Sequence, residues 1–194
     1  MYQYVKRFFD IVMSLGAIIV LSPVLLVLAV LIKLDSKGPV LFKQKRVGKG
    51  KTHFEILKFR TMYADVPKDV PTHLLADPAS KITKIGRFLR KSSLDELPQI
   101  WNILVGEMSI IGPRPALWNQ FDLIAERDKY GANDVRPGLT GLAQVMGRDE
   151  LPIEVKAKYD GEYAQNVTFA NDVKIFFKTI TSVLGAKGVK EGKQ

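Results

Sequence analysis

The sequence predicts a mixed, helix-rich α/β fold behind an N-terminal membrane segment, and three features predict it. Ile11 to Ile32 is an uncharged, mostly apolar run of 22 residues. Val40 to Phe42 and His53 to Phe59 have the composition of short strands around a turn at Gly48-Lys49-Gly50. Beyond them, apolar residues recur mostly at helical spacing. At 194 residues the chain suits one buried core and is short for two. It divides into a membrane segment with its flanks (1–36), a compact domain (37–184) and a Gly- and Lys-rich tail (185–194) expected to be disordered.

The apolar run is bounded by Lys6, Arg7 and Asp10 on one side and by Lys33 and Asp35 on the other. As a helix it measures about 33 Å, close to the hydrocarbon thickness of a bilayer. Its exit into Ile32-Lys33-Leu34-Asp35 lacks the small residues of a signal-peptide cleavage site. Two arrangements fit, a spanning helix or one that enters and leaves the same leaflet. Ser22-Pro23 at its middle predicts a kink, because proline removes one donor and crowds the carbonyl four residues earlier. The Ser22 hydroxyl is a suitable partner for the freed carbonyl. Lys33, Lys37, Lys43, Lys45 and Arg46 place the bulk of the chain on the cytoplasmic side in either arrangement.

Tyr63 to Ser80, with three prolines, reads as a loop. Ile82, Ile85 and Leu89 share a helical face beside Lys84, Arg87 and Lys91, the pattern of a helix lying on lipid or on a protein core, with Gly86 weakening it. Pro98 to Leu104 reads as helix, and Met108 to Ile111 precedes the rigid Gly112-Pro113-Arg114-Pro115. Trp118 to Lys129 is expected to be helical, and Arg136-Pro137-Gly138 has the chemistry of a type II turn. Val173, Phe176, Phe177, Ile180 and Leu184 give a last amphipathic helix, for core contact or a membrane surface.

Composition narrows the chemistry. The 29 Lys and Arg against 20 Asp and Glu give a net charge of +9 and favour phosphate-rich partners. An apolar content of 46% excludes a disordered chain. The absence of cysteine and the presence of only two histidines, His53 and His73, exclude disulfides, thiolate metal sites and a conventional zinc cluster. Any metal is expected on oxygen ligands. Gly50-Lys51-Thr52 resembles the end of a P-loop, but Lys45 stands where its first glycine belongs.

Asp95 and Glu96 carry the strongest chemical signal. Ser93 with Glu96 has the spacing of a capping box, and acids in a first helical turn suit the macrodipole. Their neighbours add a second reading: Arg90, Lys91 and a helix N-terminus would keep a carboxylate ionised and hold a phosphate beside it. An ionised Asp next to phosphate is a potential nucleophile, and two carboxylates can hold Mg²⁺. Lys58 and Arg60 in Lys58-Phe59-Arg60-Thr61-Met62, Arg114 between two prolines, and Arg136 are further candidates for phosphate.

Taken together, these segments resemble the bacterial sugar transferases, the monotopic phosphoglycosyl transferases that begin polysaccharide and glycoconjugate assembly on a polyprenyl phosphate carrier. The resemblance rests on Lys6-Arg7 with Asp10, the apolar run with Ser22-Pro23, Lys58 to Met62, Ser93 to Gln99, Ile111 to Pro115, Arg136 to Val145, and Tyr159-Asp160 with Tyr163. It covers nearly the whole chain and is closest to the minimal members. One departure is Met146, where relatives often carry Asn.

What the resemblance implies is specific. A re-entrant helix broken at Ser22-Pro23 would seat a compact α/β core on the cytoplasmic face of the bacterial inner membrane, with amphipathic helices at the surface. The reaction would move a sugar 1-phosphate from a UDP-sugar to polyprenyl (undecaprenyl) phosphate, releasing UMP. Asp95 would be the nucleophile, with Glu96 beside it and Mg²⁺ at the pair. Arg90 would clamp the phosphoryl group, and Lys58, Arg60, Arg114, Arg136, Gln144 and Arg148 would bind nucleotide or lipid phosphate. Lys6 and Arg7 would meet lipid head groups. No nucleic acid partner is expected. The competing reading is a membrane-anchored basic protein that binds polyanions without catalysis; it would lose nothing on Asp95→Asn.

Overall fold

The computed structural model describes residues 2–67, 77–147 and 151–184. Arg148 and the 185–194 tail lie outside them. The longest element is α1 (Tyr2–Asp35), one helical element with Pro23, the site of the predicted kink, inside it. The expected rescue is present: the Ser22 hydroxyl donates to Ile19 O at 2.8 Å, the carbonyl that Pro23 leaves without a donor. At 1.5 Å per residue α1 is about 51 Å long. Length and composition alone qualify it to cross a membrane. One stripe of it is covered: Asp10, Ser14, Leu28 and Ile32 are buried, and Ala17, Ile18, Leu21 and Leu25 are half-buried between them. The other faces expose apolar side chains, Phe8, Val20 and Leu26 among them.

Both ends of α1 are docked. Asp10 Oδ1 accepts from Ile110 N at 3.0 Å, and Asp35 Oδ2 from Ile85 N at 3.1 Å. Near the start, Asp172 gathers the Tyr2 hydroxyl, Lys6 Nζ and the Tyr163 hydroxyl at 2.6, 2.7 and 2.8 Å.

The strands are few and short. β1 (Leu41–Val47) and β2 (His53–Phe59) form an antiparallel hairpin with Leu41 opposite Phe59 and Val47 opposite His53. The predicted turn at its tip is present, and Gly50 takes φ +61° there. Helix α2 (Lys84–Ser92) starts at Thr83, whose Oγ1 accepts from Gly86 N at 3.0 Å. Its apolar face is core: Leu89 is buried with Leu28, Ile32 and Phe59, and Ile85 packs on them. Of the two readings of this face, protein core is the one found. Gly86 lets α2 approach the chain, since a Cβ there would lie 2.0 Å from Thr61 O.

Helix α3 (Gln99–Val105) covers the free edge of β2 through Asn102, which accepts from Leu57 N at 2.9 Å and donates to Glu55 O at 2.8 Å. Then come β3 (Ser109–Ile111), α4 (Phe121–Asp128) and β4 (Gly138–Thr140). β3 and β4 are parallel, with Ser109 opposite Gly138. Gly138 does not have positive φ, so the expected type II turn at Arg136-Pro137-Gly138 is not formed. Its glycine serves close approach instead, because a Cβ would lie 2.1 Å from Gly112 N. Three helices complete the fold, α5 (Leu142–Met146), α6 (Ile153–Gln165) and α7 (Phe169–Leu184). Ile175 of α7 is buried with Ile111 and Tyr163, while Phe177 stays 62% exposed, so α7 makes core contact and keeps an apolar outer face.

Candidate active site

Asp95 and Glu96 sit in a sharp connection between α2 and α3. Ser93 ends α2 in the left-handed conformation, φ +57°, with its N–H on Arg90 O at 3.2 Å. A single turn, Leu94–Glu96, follows. The capping box is not formed: Ser93 makes no side-chain cap bond, because it closes the preceding helix rather than opening the next. Leu94 and Leu97 pack against the core of Leu28, Ile32, Phe59 and Leu89, anchoring the turn on both sides of the two acids.

The two carboxylates have different partners. Glu96 Oε1 accepts from Lys58 Nζ and from Arg114 Nη2, both at 2.8 Å. Burial alone would raise its pKa, but Arg114 and Lys58 outweigh burial and hold it well below the usual carboxylate range. Asp95 has no hydrogen bond to its carboxylate among the described residues. Burial pushes its pKa up, and the charge of Glu96 adds to that, against the pull of Lys58, Arg90 and Arg114. Burial also lowers the Lys58 ammonium, opposed by Glu96.

Each cation is set by a different element. Lys58 comes from β2, and Arg114 from the loop after β3. Arg90, on the last turn of α2, donates Nε to Thr61 Oγ1 at 2.9 Å and bears electrostatically on Asp95. Arg46 of β1 belongs here too, although the sequence reading took it only as part of a basic flank. Its Nη1 donates to Pro115 O at 3.0 Å, and burial, with Arg114 next, pushes its pKa down to about 9. The signal was available: Gln44 and Arg46 alternate on one face of a strand, where polar side chains turned inward call for a partner.

Other predicted residues are occupied elsewhere. Arg60 is 5% exposed and donates to Lys37 O, Ser36 O and Ile32 O at 2.8, 2.7 and 3.3 Å, so it closes the C-terminus of α1 rather than facing Asp95. Arg7 caps α3 in the same way, through Ile103 O and Leu104 O at 2.6 and 2.7 Å. Lys6 is paired with Asp172 at 2.7 Å, so both residues expected at lipid head groups are turned into the protein. Arg136 donates Nε to Gly106 O at 3.0 Å and lines a separate small cavity with Lys6, Lys49 and Ser109. Gln144 is buried, with Nε2 on Leu139 O at 3.0 Å and Oε1 unpaired.

Hard cations of the Mg²⁺ type are held by one or two carboxylates plus substrate phosphates. Asp95 fits that donor set, and so does Glu96 Oε2, which lies outside both bonds to Oε1. No cluster of three or more acidic or histidine side chains suited to a metal occurs among the described residues.

The family described as bacterial sugar transferase matches residues 1–186. The chain is 38% identical to the UDP-galactose-lipid carrier transferase of Erwinia amylovora, over 96% of this chain and 42% of that protein. It is 40% identical to the UDP-N-acetylgalactosamine-undecaprenyl-phosphate N-acetylgalactosaminephosphotransferase of Aeromonas hydrophila, over 97% of this chain and 46% of the relative. The exopolysaccharide production protein PSS of Rhizobium leguminosarum is 41% identical over 92% of this chain and 94% of its own length. The chain thus spans under half of the first two relatives and nearly all of the third. With a match that takes in the apolar helix α1, the paired acids and the cations around them, the chain belongs to the bacterial sugar transferase family.

Proposed function

We propose that the protein transfers a sugar 1-phosphate from a UDP-sugar to polyprenyl (undecaprenyl) phosphate through a covalent intermediate on Asp95. The unequal state of the paired acids carries this reading. Glu96 is held by two cations, which makes it a poor nucleophile and a good positioning anion. Among the described residues Asp95 accepts no side-chain hydrogen bond, and it is partly exposed and beside Lys58, Arg90 and Arg114, where a bound diphosphate would find positive charge.

In the first step a carboxylate oxygen of Asp95 attacks the phosphorus that bears the sugar. The bond from that phosphorus to the bridging oxygen breaks, and UMP leaves with the electron pair. In the second step an oxygen of polyprenyl phosphate attacks the same phosphorus, the bond to Asp95 breaks, and a polyprenyl diphosphate sugar results. Two bulky anions never share the site. Arg90 and Arg114 would hold the phosphoryl oxygens. Mg²⁺ on Asp95 and Glu96 would neutralise diphosphate charge when bound.

We also propose that α1 enters and leaves one leaflet, with the body on the cytoplasmic face of the inner membrane. The docking of both ends of α1 on the same body supports this. The names of the relatives support a polyprenyl phosphate acceptor and a galactose or N-acetylgalactosamine class of donor.

The test is UMP release from a panel of UDP-sugars with polyprenyl phosphate and Mg²⁺, beside the intact mass of enzyme quenched with donor alone. Wild type is expected to release UMP and gain the mass of one sugar phosphate, and Asp95→Asn to do neither. Turnover by Asp95→Asn, or no turnover of any donor by wild type, would overturn the reading.

A further inference from the structure

Arg114 reaches Glu96 from a loop whose two prolines contribute no N–H, which leaves much of its backbone anchoring to the carbonyls of residues 113–116. Each is held. Pro113 O accepts from Gly138 N at 2.8 Å, Arg114 O from Arg127 Nη2 at 2.9 Å, Pro115 O from Arg46 Nη1 at 3.0 Å and Ala116 O from Val47 N at 3.0 Å. The bond from Arg127 is the one made at Arg114 itself.

Arg127 stands on α4 and is 4% exposed; its partner Asp160 stands on α6 and is 1% exposed. Arg127 Nε and Nη2 both donate to Asp160 Oδ2, at 2.8 and 2.5 Å. Holding α4 to α6 does not need this pair. Leu123, Ala157 and Ala116 already form an apolar core there, and a buried ion pair gives little stability over well-packed hydrophobic residues. What an apolar pair could not do is donate to Arg114 O.

We propose that Arg127, fixed by Asp160, is a positioning residue that holds the Pro113-Arg114-Pro115 loop so that the Arg114 guanidinium meets Glu96. Asp160 sets the direction of the Arg127 fork, the fork fixes the Arg114 carbonyl, and the two prolines pass that restraint to the Arg114 side chain. Glu96 then keeps the second of its two cations. The catalytic consequence rests on the transferase reading; the structural one does not.

The experiment uses full-length protein in detergent with the UDP-sugar that wild type accepts. Asp160→Asn keeps shape and removes the charge. Its kcat is expected to fall at least about tenfold while KM for the donor stays within about twofold, the signature of lost positioning. In an Arg114→Lys background the same substitution is expected to change kcat by less than about twofold, because the group it positions is gone. Hydrogen exchange is expected to quicken at the Gly138 amide, which donates to Pro113 O, with the hairpin amides of β1 and β2 unchanged. Folded Asp160→Asn with wild-type kcat, losses that multiply in the double variant, or unchanged Gly138 exchange would overturn the proposal. If neither Asp160→Asn nor Arg127→Lys folds, the pair is structural and the proposal also fails. Exchange needs no turnover, so a wild type inactive on every donor would sink the transferase reading while Gly138 still decides this one.

Discussion

A guanidinium that is 5% exposed needs hydrogen-bond acceptors in place of water, and for Arg60 they are carbonyl oxygens. It sits where the partial negative charge of α1 collects, on Ile32 O, Ser36 O and Lys37 O. Hydrogen bonds to a charged group contribute about 1.5–3 kcal/mol each, so the side chain should matter to folding and not to substrate. Arg60→Ala is expected to lower the thermal midpoint by about 5–10 °C, read by calorimetry in detergent, with donor KM within about twofold of wild type. A large rise in KM with no change in melting would restore the phosphate role. Lys58 and Arg60 lie two residues apart in one motif and read alike in the sequence. What separates them is the tertiary partner each meets, Glu96 for one and the end of α1 for the other, and no local pattern encodes that.

Elements follow the same division between local and distant causes. Both hairpin strands, α2, α3 and the break after Ile111 were legible, because alternation, helical spacing and proline are local signals. The extents differ, since β1 runs on to Val47 and α4 begins only at Phe121. Ser93-Leu94-Asp95-Glu96 and Arg136-Pro137-Gly138 misled for different reasons, since the serine serves the preceding helix and the glycine serves a contact distant in sequence. Ser93 closes α2, and Gly138 lets β4 lie against Gly112. A methyl at Gly138 would stand 2.1 Å from Gly112 N and 2.5 Å from Thr140 O, both backbone atoms that cannot swing aside. Gly138→Ala should therefore cost about 3 kcal/mol, the upper end for overpacking, and move the Pro113 carbonyl away from its donor. The denaturant midpoint measures the first, and a fall in kcat larger than any change in KM measures the second. Gly16→Ala, inside α1 with nothing within 4 Å of a Cβ and no positive φ, is the control for glycine loss without a clash.

At the scale of the whole molecule, α1 is long and apolar enough to cross a membrane, and its two ends are part of the wall of the body. A helix that crossed a bilayer would carry one end about 30 Å from the face that holds the other. Here Asp10 bonds β3 and Asp35 bonds the start of α2, so both ends of the helix meet the same body. Asp172 tightens the N-terminal end by joining Tyr2 and Lys6 of α1 to Tyr163 of α6 from its own place in α7. In the one-leaflet arrangement proposed above, the apolar faces left over on α1 and α7 would meet lipid. The sequence has no cysteine, which makes the topology directly measurable. Single Gln3→Cys and Lys37→Cys variants, exposed positions at the two ends of the segment, are to be treated with a membrane-impermeant maleimide in sealed vesicles of each orientation. Both are expected to react in inverted vesicles and both to be protected in right-side-out ones, where their release by detergent shows the thiols intact. Reaction of one end in each orientation would mean a spanning helix, and would require the contacts at Asp10 or at Asp35 to be broken in the membrane.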